Sequence, residues 1–532
     1  MILSQMVLSP EIDCKKTELY YRGRVKQVTS AGLELLCGET IRFDTYFNAF
    51  FYGPYLRHTD VERVRLHLIM TGQIRFTLLL VDKANREEVL FQTEVFGDLV
   101  PVEFPEYELS KFPPEGALFL EAVACSDSSC IHSFQYETAA DGEDIKVAVI
   151  ICTYRREDYV YRSVRSIREN ILENKDCPVS NDVDLLIVDN GGTICLSDSP
   201  HIFVFSNKNC GGSGGFARGM LEAYRGRNRY THILLMDDDI VFETETLVRT
   251  IQFLKTAMSS KRPLCIGGQM LMEDVPTIQF ESGSSYIKGR LFPRGRGLDL
   301  SSRMALMENT RDTNVQYNAW WYCCLPLSAV SRYGLPLPLF IKIDDVEYGL
   351  RLNADVVCMN GIGVWHMPFS DKYAPYLEYY IKRNELVVSA IYDNKGGVIS
   401  GIYKLFRAVG KAVLTGKLKM MDFIINAYED FLKGPEFFLK TDGEKMHHQL
   451  LRENAAEVKR NASDILAVPL RVISLIIRFT RRYSTVQKAY RQCLPELTSM
   501  DFWCDYLGID HGDCLHRDHV GKVQRESEEL MS

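Results

Sequence analysis

Ile233-Leu234-Leu235-Met236-Asp237-Asp238-Asp239-Ile240 carries an apolar, strand-like run straight into three consecutive carboxylates. Neighbouring carboxylates repel, so such a cluster is costly unless a cation or ordered water offsets the charge. In alternating β/α folds, ligands bind at the carboxyl ends of the strands. A divalent-metal site holding a phosphorylated substrate is the first reading. The alternative is an acidic turn ahead of a helix, with Glu243 and Glu245 complementing the helix N-terminus.

Upstream, Ile145-Lys146-Val147-Ala148-Val149-Ile150-Ile151-Cys152 reads as a buried strand, residues 158–171 as an amphipathic helix, and Asp184-Leu185-Leu186-Ile187-Val188 as a second strand. Ile202-Phe203-Val204-Phe205, a glycine-rich loop and a helix over 216–224 follow. Strands alternating with helices predict a mostly parallel α/β sheet covered on both faces. Before this, residues 1–143 read as a β-sandwich. Val64-Arg65-Leu66-His67-Leu68-Ile69-Met70 and Ile74-Arg75-Phe76-Thr77-Leu78-Leu79-Leu80-Val81 are strand-like, with turns expected at Thr71-Gly72 and Pro114-Glu115-Gly116. Ala139-Ala140-Asp141-Gly142-Glu143-Asp144 is a polar linker. From about Pro375 onward long periodic segments predict helices. The expected division is 1–143, 144–385 and 386–532.

The chain has 532 residues, too many for one core. Its 46% hydrophobic and 25% charged residues are those of a soluble globular protein. A net charge of -8 argues against a general nucleic-acid binder. The 15 cysteines form no disulfide or zinc framework, so reduced thiols in the cytoplasm are expected. Met1-Ile2-Leu3-Ser4-Gln5-Met6 lacks the basic and apolar regions of a signal peptide, and no apolar run reaches membrane-spanning length.

Further polar groups fall at strand ends. Thr153-Tyr154-Arg155-Arg156 follows the first strand and Asp189-Asn190-Gly191-Gly192 the second. An aspartate there could accept hydrogen bonds from a base or ribose, or simply close a turn, and an arginine could meet phosphate. Asn209-Cys210-Gly211-Gly212-Ser213-Gly214-Gly215 would let backbone approach a ligand, although its spacing fits no phosphate-loop or dinucleotide fingerprint. Trp320-Trp321 precedes Phe340-Ile341-Lys342-Ile343-Asp344-Asp345-Val346-Glu347, read as an apolar strand delivering a second acid pair. One of these carboxylates could be a general base on a hydroxyl, with the indoles packing on sugar C–H surfaces. Paired indoles also serve as core. Trp365-His366-Met367-Pro368 adds an imidazole that could complete a Mn²⁺ or Mg²⁺ site.

Taken in order, Thr-Tyr-Arg-Arg, Asp-Asn-Gly-Gly, Asn-x-Gly-Gly-x-Gly-Gly, Asp-Asp-Asp, Asp-Asp-x-Glu and Trp-His resemble a family 2 glycosyltransferase of GT-A fold. Trp320-Trp321, the segment from Phe340 to Arg351 and Trp365-His366-Met367-Pro368 resemble, more narrowly, the polymerising bacterial galactofuranosyltransferases of cell-wall galactan. The resemblance implies an N-terminal β-sandwich, a central α/β GT-A (Rossmann-like) domain and a helical C-terminal region. It implies inverting transfer from UDP-galactofuranose with a divalent metal, Mn²⁺ or Mg²⁺. Asp237, Asp239 and His366 would hold the metal, and Asp345 would be the catalytic base. Asp344, Trp320, Trp321 and Glu281 would face the acceptor, and Arg156, Asp189, Asn209, Asp238 and Arg383 the donor. Ile343 departs from the family, whose members tend to carry an aromatic there.

Apolar residues interleaved with bases in residues 401–411 and 470–482 either lie on an anionic membrane surface or form packing helices with solvated Lys and Arg. The implied partners are a UDP-sugar donor and a lipid-linked glycan acceptor, with peripheral contact at the inner face of the plasma membrane and homo-oligomerisation open. Two alternatives stand beside this reading. One is a family 2 enzyme with another nucleotide sugar, such as a rhamnosyltransferase. The other is a carbohydrate-binding protein with an inactive transferase domain.

Overall fold

The computed structural model describes all residues except 9–16, 197–198, 227–228, 288, 312–314, 368–372, 394–396, 457–461 and 512–532, with side chains of the last long helix described from residue 468. The N-terminal third is antiparallel β-structure. Its longest strands are β1 (Arg63–Asp82), β2 (Glu87–Glu103), β3 (Gly116–Ala124) and β4 (Cys130–Glu137). The turn expected at Thr71-Gly72 is absent: β1 passes through it as one strand of 20 residues. Gly72 adopts φ +96°, and the ladder with β2 shifts register there. A bulge at a glycine bends a strand without ending it. β1 thus pairs β4 along its first half and β3 along its second, with β2 on its other edge. The ten strands of this region are hydrogen-bonded into one connected sheet.

Beyond the linker come β5 (Val147–Thr153), β6 (Val183–Asp189), β7 (Ile202–Ser206), β8 (His232–Asp237), β9 (Val241–Phe242), β10 (Leu264–Gly267), β11 (Gln269–Met272), β12 (Gln279–Glu281), β13 (Tyr322–Pro326), β14 (Asp355–Val357) and β15 (Gly363–His366). Seven form one sheet in the order β7-β6-β5-β8-β13-β10-β14, and four form a second in the order β9-β15-β11-β12. β5 to β8 are parallel, while β13 runs antiparallel to both neighbours. Register aligns Thr153 with Asp189 and Cys152 with Asp237, so three strands release their polar ends along one edge.

Period-two patterning assigns the faces. Val149, Ile151, Leu185, Ile187, Leu234 and Met236 point into a core that continues unbroken into the N-terminal sheet. Ile150, Leu186, Val188, Ile233 and Leu235 point the other way. The flanking helices are α1 (Glu157–Ile167), α2 (Gly211–Arg225), α3 (Glu245–Lys255) and α4 (Asp344–Leu352). The glycine-rich stretch is the first part of α2, and no loop precedes it from Gly211 on. Its glycines serve close packing: a Cβ on Gly215 would lie 1.9 Å from Cys152 Sγ, and one on Gly219 2.2 Å from Ile150 Cγ2.

The C-terminal region is helical, as its periodicity predicts: α5 (Leu377–Tyr392), α6 (Gly397–Leu414), α7 (Leu418–Phe431), α8 (Gly443–Ala455), α9 (Ala462–Leu497) and α10 (Met500–Leu507). α10 returns to the α/β region, where Trp503 Nε1 donates to Pro336 O (2.8 Å) beside Gly214. Among the described residues, every cysteine is a free thiol and no helix is long and apolar enough to cross a membrane.

The glycine contacts make a paired stability prediction. Gly219→Val overpacks α2 against β5 and should cost about 1–3 kcal/mol in urea unfolding. Gly410→Ala, in α6 with nothing near its would-be Cβ, should gain roughly 0.5–1 kcal/mol.

Candidate active site

The carboxylate run leaves β8 beside the end of β5. Thr153 Oγ1 donates to Asp238 Oδ2 (2.8 Å), and Arg156 Nη1 bridges Asp238 Oδ1 (3.1 Å) and Asp239 Oδ2 (2.8 Å). On its other side Asp239 Oδ1 lies 3.1 Å from His366 Nε2, at the end of β15. His366 Nδ1 is 2.6 Å from Met367 O, and since a carbonyl only accepts, Nδ1 carries the hydrogen. A neutral His366 then aims the Nε2 lone pair at a carboxylate oxygen, an arrangement stable only with a proton or a cation between them. Asp237, Asp239 and His366 present ligand atoms all within 4.8 Å of one another. Two carboxylate oxygens and one imidazole nitrogen are a donor set suited to a divalent ion such as Mn²⁺. Burial pushes the Asp237 carboxyl up to about 7, reinforced by Asp239 and opposed by His366.

The second acid pair is delivered by a turn, and the strand expected over Phe340–Ile343 does not form. Phe340, Lys342 and Ile343 have φ of +72°, +69° and +70°, the left-handed region that costs a non-glycine residue roughly 1–3 kcal/mol. The turn ends where α4 begins, on Asp344 and Asp345. Asp344 Oδ2 accepts from Ser213 Oγ in the first turn of α2 (2.8 Å), and Asp345 Oδ1 accepts from Val346 N (2.8 Å). Burial pushes Asp345 up to about 8, with Asp344 and Glu281 adding to the rise and Lys342 opposing it. Lys342 also lowers Asp237 and Asp344, and desolvation raises the half-buried Cys152 thiol, with Asp238, Asp237 and Asp344 adding to the rise. Lys342 therefore lies within electrostatic reach of both acidic clusters.

Several elements grip this turn. Asn384 Nδ2 reaches Leu339 O (3.2 Å), Ile341 O (3.0 Å) and Lys342 O (2.8 Å), and Arg383 Nη2 donates to Leu339 O (2.7 Å). The Phe340 ring stacks on Tyr380 (5.5 Å) and lies 5.0 Å from His447 of α8. From the α/β side, Ser213 N donates to Phe340 O (3.1 Å). Gly211 must be glycine here: its φ is +70°, and a Cβ would lie 2.2 Å from Phe340 O.

Over residues 148–267 the chain matches the model of glycosyl transferase family 2. It is 28% identical over 453 residues to the galactofuranosyltransferase GlfT2 of Mycolicibacterium smegmatis, covering 78% of this chain and 67% of that protein. The GlfT2 of Mycobacterium tuberculosis is likewise 28% identical, over 78% of this chain and 68% of that one. Residues 148–267 thus resemble a family 2 glycosyltransferase domain, and most of the chain is similar to these galactofuranosyltransferases. Among solved structures, GalNAc-T7 with UDP, GalNAc and Mn²⁺ overlaps it at a TM-score of 0.34 and 11% identity, covering 55% of this chain and 56% of that one. An overlap of that size adds nothing to the argument.

Within this glycosyltransferase-like protein, several residues expected at the ligands are committed elsewhere. Arg383 does not point at a diphosphate. It is 1% exposed, and four rings surround it at 5.1–5.4 Å (Tyr379, Tyr380, Phe437 and Phe438). Asp189 closes its own turn: Oδ1 accepts from Gly191 N and Gly192 N, Oδ2 from Thr193 N and Ile194 N, which fills its acceptor sites. Asn209 Oδ1 accepts from Gly211 N at the start of α2 (3.1 Å). Trp320 and Trp321 are 6% and 4% exposed and belong to the cores on opposite faces of the sheet, so neither offers an open face to a sugar. Trp321 Nε1 donates to Gly268 O (2.8 Å). Glu281, on β12, is not one of these: it is buried, pushed up to about 7 by desolvation, and its charge acts on Asp345. Pro368 lies outside the described residues.

Sequence reading missed Thr153, Ser213, Lys342 and Asn384. Thr153, Ser213 and Lys342 stood inside quoted motifs and Asn384 follows Arg383, but nothing local marks a hydroxyl or amide as the partner of a distant carboxylate or carbonyl. Thr153→Val deletes a donor to the buried Asp238 carboxylate. It should cost about 1–3 kcal/mol in chemical denaturation, whereas Thr153→Ser should cost much less.

Proposed function

We propose that this chain is an inverting, metal-dependent glycosyltransferase of GT-A type that transfers galactofuranose from UDP-galactofuranose to a galactan-type acceptor. The observation that carries the reading is the Asp237/Asp239/His366 cluster together with the buried Asp344/Asp345 pair, both within electrostatic reach of Lys342. A transferase needs two such groups, one set for the leaving diphosphate and one for the incoming hydroxyl. The likeness to GlfT2 over most of the chain supports the choice of sugar.

Bound at Asp237, Asp239 and His366, Mn²⁺ or Mg²⁺ would supply the charge that offsets the departing UDP. Arg156 fixes Asp238 and Asp239, and Thr153 holds Asp238 against the end of β5. Asp345 takes the proton of the acceptor hydroxyl as that oxygen attacks the anomeric carbon from the face opposite UDP. Its burial makes it a stronger base than an exposed carboxylate, close to the range in which general bases work best. Asp344 and Glu281 line the acceptor side. An inactive carbohydrate-binding protein would have no need of two intact acid clusters.

We also read the acceptor as lipid-linked, with the protein peripheral on the inner face of the membrane. α6 exposes Ile399, Tyr403, Phe406 and Leu414 (77%, 56%, 55% and 88%) beside Arg407 and Lys411, an arrangement suited to an anionic surface. On α9, by contrast, Arg471 and Arg478 pair with Asp422 and Glu429 of α7, as packing helices do.

Removal of metal with EDTA should abolish transfer, and added Mn²⁺ or Mg²⁺ should restore it; full turnover after verified removal refutes the metal role. Asp345→Asn should lower kcat by about 10²–10⁴ while UDP affinity measured calorimetrically stays within a fewfold. Since protonated Asp345 cannot act as a base, turnover should rise with pH through the region near 8, well above where an ordinary carboxylate titrates. Offered a galactofuranosyl oligosaccharide, the protein should use UDP-galactofuranose and hardly UDP-galactopyranose, since a pocket fitted to one ring leaves polar groups unpaired with the other. Preference for a deoxythymidine-diphosphate sugar would instead favour a rhamnosyltransferase.

A further inference from the structure

We propose that Asn384 is a positioning residue for the acid pair, and that the C-terminal helices act through it to hold the catalytic turn. The inference rests on the reading of Asp345 as the base. Asp344 and Asp345 have no strand beneath them; they stand at the end of a turn in which Phe340, Lys342 and Ile343 all take the left-handed conformation. β-Branched residues such as Ile343 avoid that conformation unless the surroundings impose it.

Central to what imposes it is a single fully buried amide. Asn384 has no exposed surface, and its Nδ2 lies within hydrogen-bond distance of three carbonyls of the turn, at Leu339, Ile341 and Lys342. Two hydrogens serve three acceptors, so one bond is shared and the carbonyls must converge on one point. Convergent carbonyls fix the peptide planes on either side of Ile341 and Lys342, and with them the direction in which α4 starts. The amide is itself oriented, because Asn384 Oδ1 accepts from Arg383 Nε (2.9 Å), and Arg383 is locked among four rings while its Nη2 shares the Leu339 carbonyl. Tyr380 and His447 hold the Phe340 ring at the other end of the turn. None of these groups reaches the carboxylates. Asn384 thus sets where Asp345 sits without touching an acceptor, and the donor side, built on β5, β8 and β15, shares with this turn only the charge of Lys342.

The test uses the full chain with UDP-galactofuranose, a galactofuranosyl oligosaccharide and Mn²⁺. Asn384→Leu removes both N–H donors at similar volume. We expect kcat to fall tenfold or more, while the donor KM and the affinity for UDP stay within twofold and UDP still binds one per chain. A kcat within twofold of the parent overturns the inference, as does a fall in kcat matched by an equal fall in UDP-binding stoichiometry, which marks general unfolding. Should the leucine variant not fold, Asn384→Ser, which keeps one short donor, is judged by the same comparison. The double variant with Asp345→Asn should lose no more than Asp345→Asn alone, because a misplaced base and a missing one are the same defect; additive losses refute the positioning role. If Asp345→Asn itself retains turnover, the base assignment beneath the inference has failed. If Asp345→Asn is inactive and the Asn384 variants are fully active, the positioning role alone has failed.

Discussion

Five aspartates brought partly out of water in two clusters repel one another, and most of the local architecture answers that repulsion. At an effective dielectric of about 20, two unit charges 4 Å apart interact by roughly 4 kcal/mol. Arg156 spans two of the carboxylates, Lys342 tempers three, and the hydroxyls of Thr153 and Ser213 each supply a hydrogen to one. His366 turns Nε2 toward Asp239 because Met367 O holds Nδ1–H on the other side of the ring, so a proton or a cation must sit between Nε2 and the carboxylate. What remains uncompensated is what a divalent cation and a proton in transit would offset.

The two clusters are built by different means. The metal-side acids ride on a strand end whose position is set by ladders to β5 and β13, with apolar side chains alternating into two cores. The acceptor-side pair rides on backbone held against its own preference. Three left-handed residues at roughly 1–3 kcal/mol each are not offset by hydrogen bonds to Asn384 at about 1 kcal/mol each; the stacking of Phe340 on Tyr380 and the ring cage around Arg383 contribute the rest. A strained turn persists only where the surroundings over-determine it.

Features with a local signature were readable in the sequence. The apolar run into Asp237, the alternation of strands and helices and the helical C-terminal periodicity follow from side-chain spacing, and the structure has all three. Residues 340–343 misread as a strand because a short apolar run is compatible with any buried backbone, and left-handed φ leaves no mark on composition. Gly211 to Gly215 read as a ligand loop because glycine serves close packing and close ligand approach equally. Arg383 read as a diphosphate contact because an arginine caged by four aromatic rings and one near a phosphate look alike in one dimension. Thr71-Gly72 read as a turn because the bulge uses the same residue.

The order in which the chain is made gives the grip on the turn a second meaning. A nascent chain leaves the ribosome N-terminus first and its domains fold as they emerge. Asn384 follows the carbonyls it binds by 42–45 residues, and the helix bearing His447 comes later still. Every strand of the seven-stranded sheet is therefore synthesised before the amide that fixes the acid pair. A partly made chain can place Asp237, Asp238 and Asp239 while Asp345 still has no defined place, so the acid pair takes its position only once the helices have docked.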